Sequence, residues 1–395
     1  MFYSRIQKTS DFLGEGREMD LINRQRVLKE FFELVRIDSP TKEERRLADV
    51  LKVRLEELNF EVTEDSAGEA LKSDTGNLFA YRKGIVPGAP VILLVAHMDT
   101  VEPGRNIEPA LRNGLIISVG NTILGADDKS GIVPILEAIR VINEQNIPHG
   151  DIQILFCVAE EGGVNGSRNL DQRLLRADLG FVLDSGGAPG TIILEAPGQE
   201  RIDVTIQGKA AHAGVAPESG ISAILVASRA IASMRLGRID EETTANIGSI
   251  NGGHATNIIA DRVEITGEAR SRNLIKLEEQ TSHMVQAFED AAREMGAQTS
   301  IQINKTYKPY KISSDSQVAS IAAQAAKSIG LNPIFGSTGG GSDANHINQY
   351  RLPCAVLGIG MQKSHTTEEC ILEEDLYKTS EWVIEIIQQV GSVSK

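Results

Sequence analysis

Val95-Ala-His97-Met-Asp99-Thr100 closes the apolar run Val91 to Ala96, so an imidazole and a carboxylate stand two residues apart at the end of a predicted strand. A histidine in that place can bind a metal through one ring nitrogen while a neighbouring acid holds the other and fixes the tautomer. The pair alone fits a hydrogen-bonded core histidine beside a loop cap equally well, so the weight falls on the residues downstream. Leu124-Gly-Ala-Asp127-Asp128-Lys129-Ser-Gly131 leads into Ile132, Ile135, Leu136 and Ile139, a helical period that places both aspartates on the preceding loop. There Asp128 reads as a helix N-cap, favoured by the positive end of the dipole, and Asp127 as a ligand. The strand-like run from Ile152 ends in Glu160-Glu161. Adjacent side chains on an extended chain point opposite ways, so one could hold a metal while the other faces the water that the metal activates. Gly180 to Leu183 then deliver Asp184, and Ala355 to Ile359 precede His365.

Carboxylates and neutral imidazoles without thiolates suit zinc, manganese or cobalt with open positions, the requirement of a hydrolytic site. Two histidines, two terminal acids and one bridging acid suffice for two ions about 3.5–4 Å apart. Cys157, Cys354 and Cys370 lie apart, without the spacing of a structural zinc site.

His97-x-Asp99, Gly125-Ala-Asp127-Asp-Lys129-Ser-Gly131, Glu160-Glu161-Gly162, Asp184 and His365-Thr-Thr-Glu-Glu369 resemble, in order and spacing, the dinuclear zinc peptidase family of peptidase T, carboxypeptidase G and the aminoacylases. The Ala-Asp-Asp-Lys-Ser-Gly wording and Asp184 are most similar to the peptidase T-like branch. The resemblance implies His97, Asp127, Glu161, Asp184 and His365 as metal ligands, with Asp127 bridging two divalent ions, Zn2+ first and Mn2+ or Co2+ as alternatives. It implies Glu160 as the general base toward a metal-bridging water and Asp99 as the acid that orients His97. His212 would reach an active site, often that of a partner subunit, and stabilise the oxyanion. Asn257 and Arg270 would contact the substrate's carboxylate or peptide carbonyl. On their own residues, His212 also fits a loop histidine capping the next helix, and Arg270 a surface strand charge.

The elements that must position these groups can be read from periodicity. Thr41-Lys-Glu-Glu44 predicts a capping box opening the helix of Leu47, Leu51, Leu55 and Leu58. Trp382, Val383, Ile386, Ile387 and Val390 predict a last helix whose buried face is core. Between about Ala196 and Pro309 the texture changes. Ile202-Asp-Val204-Thr-Ile206 and Val263-Glu-Ile265 alternate as half-buried strands, and helix-period stretches (Ile221, Ile224 and Leu225; Leu277, Met284, Phe288 and Met295) lie among them. The expected fold is α/β: a zinc-exopeptidase-type catalytic domain with a mixed, centrally parallel sheet, residues 1–195 and 310–395, and an inserted α+β lid or dimerisation domain, residues 196–309. Met1 to Glu18 reads as a mobile extension or a misassigned start.

A net charge of −14, spread along the chain, disfavours nucleic acid and anionic membranes as partners. No signal-peptide core and no run long enough to span a bilayer is visible, and a cytoplasmic location is the expectation, with a homodimer possible through the lid. The expected activity is removal of the N-terminal residue of short peptides, which an Asp at position 184 favours within the family. Two alternatives stay open: an N-acyl-amino-acid deacylase using the same dinuclear site, and a non-catalytic metal-binding dimer. In the loop Ser337-Thr-Gly-Gly340-Gly341-Ser-Asp343, whose amides could cradle a carboxylate, no arginine precedes the glycines as it does in similar tripeptidases. Strict tripeptide preference therefore stays open.

Overall fold

Strands Ile92–His97 and Ile152–Cys157 are buried at every position, as strands covered by helices on both faces must be. They pair in parallel, Leu179–Ser185 joins the other side of Ile92–His97 in the same sense, and Cys354–Gly358 comes next to it. These four form the parallel middle of a nine-stranded mixed sheet. Leu78–Arg82 and Glu61–Glu64 extend one side antiparallel. On the other side lie Thr191–Ala196 and Tyr310–Lys311, also antiparallel, with Ile334–Ser337 pairing Thr191–Ala196 in parallel. The expected centrally parallel α/β sheet is thus present. This computed structural model describes residues 21–393, and the expected extension Met1 to Glu18 lies outside them. Among the described residues, no helix is long and apolar enough to cross a membrane.

Alternation along the central strands sends side chains into two cores. Leu94, Ala96, Ile154 and Phe156 pack with helices Arg24–Val35, Arg45–Glu57, Ala126–Gln145, Gln317–Ser328 and Glu373–Gly391, whereas Leu93, Val95, Leu155 and Val182 meet Ala344 and Ile347 of the short helix Ala344–Gln349. The last helix buries Trp382, Val383, Ile386, Ile387 and Val390 as its period requires. Trp382 is fully buried, and its indole N–H donates to the carbonyl of Ala322 at 3.0 Å. Trp382→Ala is therefore expected to destabilise the fold by about 3–5 kcal/mol through lost burial and a residual cavity. Urea unfolding measures this, and a loss below about 1 kcal/mol would show that the site collapses around the smaller side chain.

The chain leaves the main sheet at Ala196 and rejoins it at Tyr310, whose Cα partners that of Ala196. In between, strands Gly237–Arg238, Thr243–Gly252, Arg262–Ser271, Gly198–Gln207 and Gln298–Tyr307 form a separate antiparallel sheet in that spatial order. Helices Ala223–Ser233 and Leu274–Met295 cover one face, where Ile202, Val204, Ile206, Val263 and Ile265 meet Val226, Met284 and Phe288. The alternating partners on the uncovered face are polar, among them Gln199, Arg201, Glu268 and Arg270.

Candidate active site

Loops at the carboxyl ends of the parallel strands converge on one cluster, where open α/β sheets place their sites. His97 closes its strand and Asp184 stands near the end of Leu179–Ser185. Glu160 and Glu161 come after Ile152–Cys157, and His365 after Cys354–Gly358. Asp127 lies at the head of helix Ala126–Gln145 with non-helical backbone angles. His97 Nε2 is 2.9 Å from Asp127 Oδ1 and 4.0 Å from Asp184 Oδ1. His365 Nε2 is 2.9 Å from Glu161 Oε2 and 3.4 Å from Asp127 Oδ2. The two oxygens of Asp127 thus face different histidines, and all five residues singled out as ligands meet in one place.

This donor set fits divalent cations. Ligand atoms of His97, Asp127 and Glu161 lie within 4.8 Å of one another, as do those of His97, Asp128 and Asp184. Oxygen and imidazole donors without a thiolate are the set expected for zinc, manganese or cobalt at a hydrolytic centre. His97 Nδ1 lies 3.0 Å from the main-chain carbonyl of Asp99 and 3.5 Å from its carboxylate. A proton on Nδ1 leaves the Nε2 lone pair for a metal.

The electrostatics are those of crowded buried acids. Burial pushes the Glu160 carboxyl well above its usual range, and the negative charges of Asp184, Asp343 and Glu161 add to the effect. Burial works against the charge of Asp127 too, but hydrogen bonds from His365 and His97 hold its carboxyl well below the ordinary value. The same contacts, with Asp127 first and Glu161 second, raise His365 to about 10. Lys129 is wholly buried beside Asp99, Glu369 and Asp128 and donates to Ser39 Oγ at 2.8 Å. Burial lowers its pKa to about 8 despite those acids.

Side chains distant in sequence clamp the turn that presents Glu160 and Glu161. Four successive amides are satisfied in order: Val158 N–H by Asn77 Oδ1 at 3.1 Å, Ala159 by Glu44 Oε1 at 2.9 Å, Glu160 by Asp99 Oδ1 at 2.9 Å and Glu161 by Asp99 Oδ2 at 3.2 Å. The clamp holds Ala159 at φ +49°, a left-handed conformation that costs a residue with a Cβ. It also overturns the capping box expected at Thr41 to Glu44. Glu44 occupies the N-cap position without a side-chain cap bond, and its carboxylate accepts from Lys42 and Ala159 instead. Thr41 Oγ1 donates to Asp99 Oδ2 at 2.8 Å. Charge-assisted bonds in a dry interior outweigh an exposed cap. Asp128, expected as a cap, is corrected likewise: its Oδ2 accepts the backbone N–H of His97 at 3.1 Å, and no side-chain cap forms at this helix.

A cleft of about 550 Å3 opens over the cluster. Glu160, Glu161, His365, Gly340 and Gly341 line it from the main sheet's side, and Gln199, Glu268, Arg270 and Tyr307 from the second sheet. Arg270 is paired with Glu268 through Nε at 2.9 Å and Nη2 at 3.1 Å. A Cβ at Gly341 would stand 2.3 Å from the Tyr307 ring, so any larger residue here would have to displace the ring through which the second sheet meets this loop. His212 and Asn257 do not line the cleft. Both are exposed on loops of the second sheet, where His212 Nδ1 accepts the N–H of Gly214 at 3.1 Å instead of capping a helix. Sequence reasoning missed Asn77 and Tyr307 and misassigned Glu44. Each is a lone polar residue whose partner lies far along the chain.

The profile of Peptidase family M20/M25/M40 matches residues 93–389. Protein YqjE of Bacillus subtilis is 45% identical over 94% of this chain and 100% of its own length. The crystal structure of aminopeptidase PepT from Bacillus cereus superimposes with a TM-score of 0.85 at 45% identity, covering 94% of this chain and 99% of that one. A tripeptidase from Staphylococcus aureus gives a TM-score of 0.90 at 41% identity over 94% of this chain and 100% of that one.

Proposed function

The chain belongs to Peptidase family M20/M25/M40 and is a metal-dependent exopeptidase, and we propose that it releases the N-terminal residue of short peptides at the cluster of His97, Asp127, Glu161, Asp184 and His365. The observation that carries this assignment is Asp127, with one oxygen toward His97 and the other toward His365, next to a cleft that Glu160, Glu161 and His365 line. His97, Asp127 and Asp184 would hold one ion, and Asp127, Glu161 and His365 the other, with zinc the first candidate. When bound, such ions polarise the scissile carbonyl and make the attacking water more acidic. Glu160, whose side chain meets neither histidine, takes the proton of that water and delivers it to the leaving amine. Asp99 keeps the Glu160 and Glu161 amides in place while its main-chain carbonyl orients His97. Gln199, Arg201, Asn246 and Arg270 make the opposite wall polar, suited to a peptide backbone and its carboxyl terminus.

The second sheet, residues 196–309, would act as a lid hinged where the chain leaves and rejoins the main sheet. A homodimer would form through it. His212 is exposed away from its own cleft, and beyond the short stretch paired to Gly237–Arg238 the strand Thr243–Gly252 keeps a free edge carrying exposed Ile250. Three free, buried cysteines accord with a reducing, cytoplasmic setting.

Hydrolysis of Ala-Ala, Ala-Ala-Ala, N-acetyl-Ala-Ala-Ala and N-acetyl-methionine by protein stripped of metal and resupplied with zinc, manganese or cobalt tests this reading. We expect metal-dependent cleavage confined to the free-amine peptides. Cleavage of the acylated compounds alone would make the protein a deacylase, and two bound ions without any turnover would favour the non-catalytic metal-binding dimer.

A further inference from the structure

We propose that Glu369 is a positioning residue whose carboxylate ties the Asp127 loop to the base of the His365 loop, and so sets the spacing of that pair. The proposal rests on the reading of Asp127 and His365 as ligands. Glu369 is 1% exposed and touches neither the cleft nor the two histidines. Its Oε2 accepts the backbone N–H groups of Leu124 at 2.7 Å and Gly125 at 2.8 Å, and its Oε1 accepts that of Asp127 at 2.9 Å. These three amides have no local acceptor. Gly125, at φ +71°, stands at the N-cap position of helix Ala126–Gln145 and offers no side chain. An unpaired buried N–H is costly, so the acceptor has to come from elsewhere, here from 242 to 245 residues along the chain.

That acceptor comes from the His365 loop itself. Gln362 and Cys370 exchange both backbone hydrogen bonds, at 2.9 and 3.1 Å, and close a loop with His365 near its tip and Glu369 at its base. The base is pinned further by Glu369 N–H on the carbonyl of Thr366 at 3.0 Å. His365 has φ +65° and is 55% exposed at its side chain, so little packing fixes it from outside. One buried carboxylate thus grips the main chain of Asp127 and the root of the loop that carries His365. If the two segments slip, the 3.4 Å approach of Asp127 Oδ2 to His365 Nε2 opens while the fold persists.

Glu369→Gln keeps the shape but presents an amide N–H2 to at least one of the three N–H donors. Partners that orient ligands cost about 10–100-fold in metal affinity or activity when removed. In a calorimetric titration of zinc into metal-free protein, we expect one of the two equivalents to weaken by that factor in E369Q and the other to stay within about twofold. The variant should lose kcat with KM nearly unchanged. A folded E369Q that binds both equivalents with wild-type affinity would overturn the proposal. Hydrogen exchange of the metal-free wild type gives a check independent of any variant. The amides of Leu124, Gly125 and Asp127 should be protected as strongly as those of the central strands, and exchange as fast as exposed loop amides would overturn the clamp. Wild-type protein that takes up fewer than two equivalents would instead overturn the ligand assignment on which the proposal rests.

Discussion

Glu160→Gln is expected to keep both metal equivalents and the fold while lowering kcat by about 10²–10⁴-fold, the range that a positioned proton carrier contributes. Its carboxylate meets neither His97 nor His365, whereas the neighbouring Glu161 Oε2 lies 2.9 Å from His365 Nε2. The division is set by the turn: clamped amides on both residues fix where each side chain leaves the backbone. Stability should not fall. Gln fills the same volume, and burial beside Asp184, Asp343 and Glu161 already disfavours the charged form of Glu160, so loss of the charge costs little. Loss of turnover with metal content and unfolding midpoint preserved is the signature expected. Loss of an ion would mean that the roles of Glu160 and Glu161 are exchanged, and retained turnover would remove Glu160 from the chemistry.

What the sequence makes legible is what depends on neighbours along the chain. His97, Glu160, Glu161, Asp184 and His365 announce themselves because each comes after an apolar run, and strands deliver side chains at their ends. The second sheet is visible because Ile202-Asp-Val204-Thr-Ile206 alternates, and the last helix because Trp382, Ile386 and Val390 fall on one face. What stays hidden depends on partners distant in sequence. Thr41 and Glu44 carry a capping-box pattern, yet the amide of Ala159, 115 residues from Glu44, competes for its carboxylate and wins. Asp128 has the sequence position of a cap, yet the N–H of His97 takes its oxygen. Asn77, with one carbonyl oxygen for Val158 and an N–H2 group that donates to Asp65 and to the carbonyl of Gly166, has no pattern around it to reveal such a role. His212 and Asn257 show a different limit. A motif fixes residue types, but whether a loop meets its own cleft or a partner's depends on assembly.

Asp127→Asn should separate holding ions from moving protons, because it changes a side chain that faces both His97 and His365. An amide retains a single oxygen, so either His97 or His365 loses its contact with a carboxylate oxygen at this position and faces an N–H2 donor that repels a cation. We expect this variant to bind at most one ion tightly and to lose turnover by about 10²–10³-fold or more, the scale of losing one electrostatic contact to the reacting centre. The loss should appear in stability as well as rate. An ion that binds only the folded chain stabilises it by about 2.7 kcal/mol at a concentration 100 times its dissociation constant. Wild-type protein should therefore gain roughly twice that from two sites at saturating zinc, and Asp127→Asn half or less of the wild-type gain. Metal-free protein of both forms should also differ, since the contacts of Asp127 with His97 and His365 are lost in the variant. Thermal unfolding with and without zinc measures both effects. If Asp127→Asn showed the full wild-type gain and bound two equivalents, Asp127 would not bridge, and Asp128, whose carboxylate also reaches His97 and Asp184, would become the acid to test.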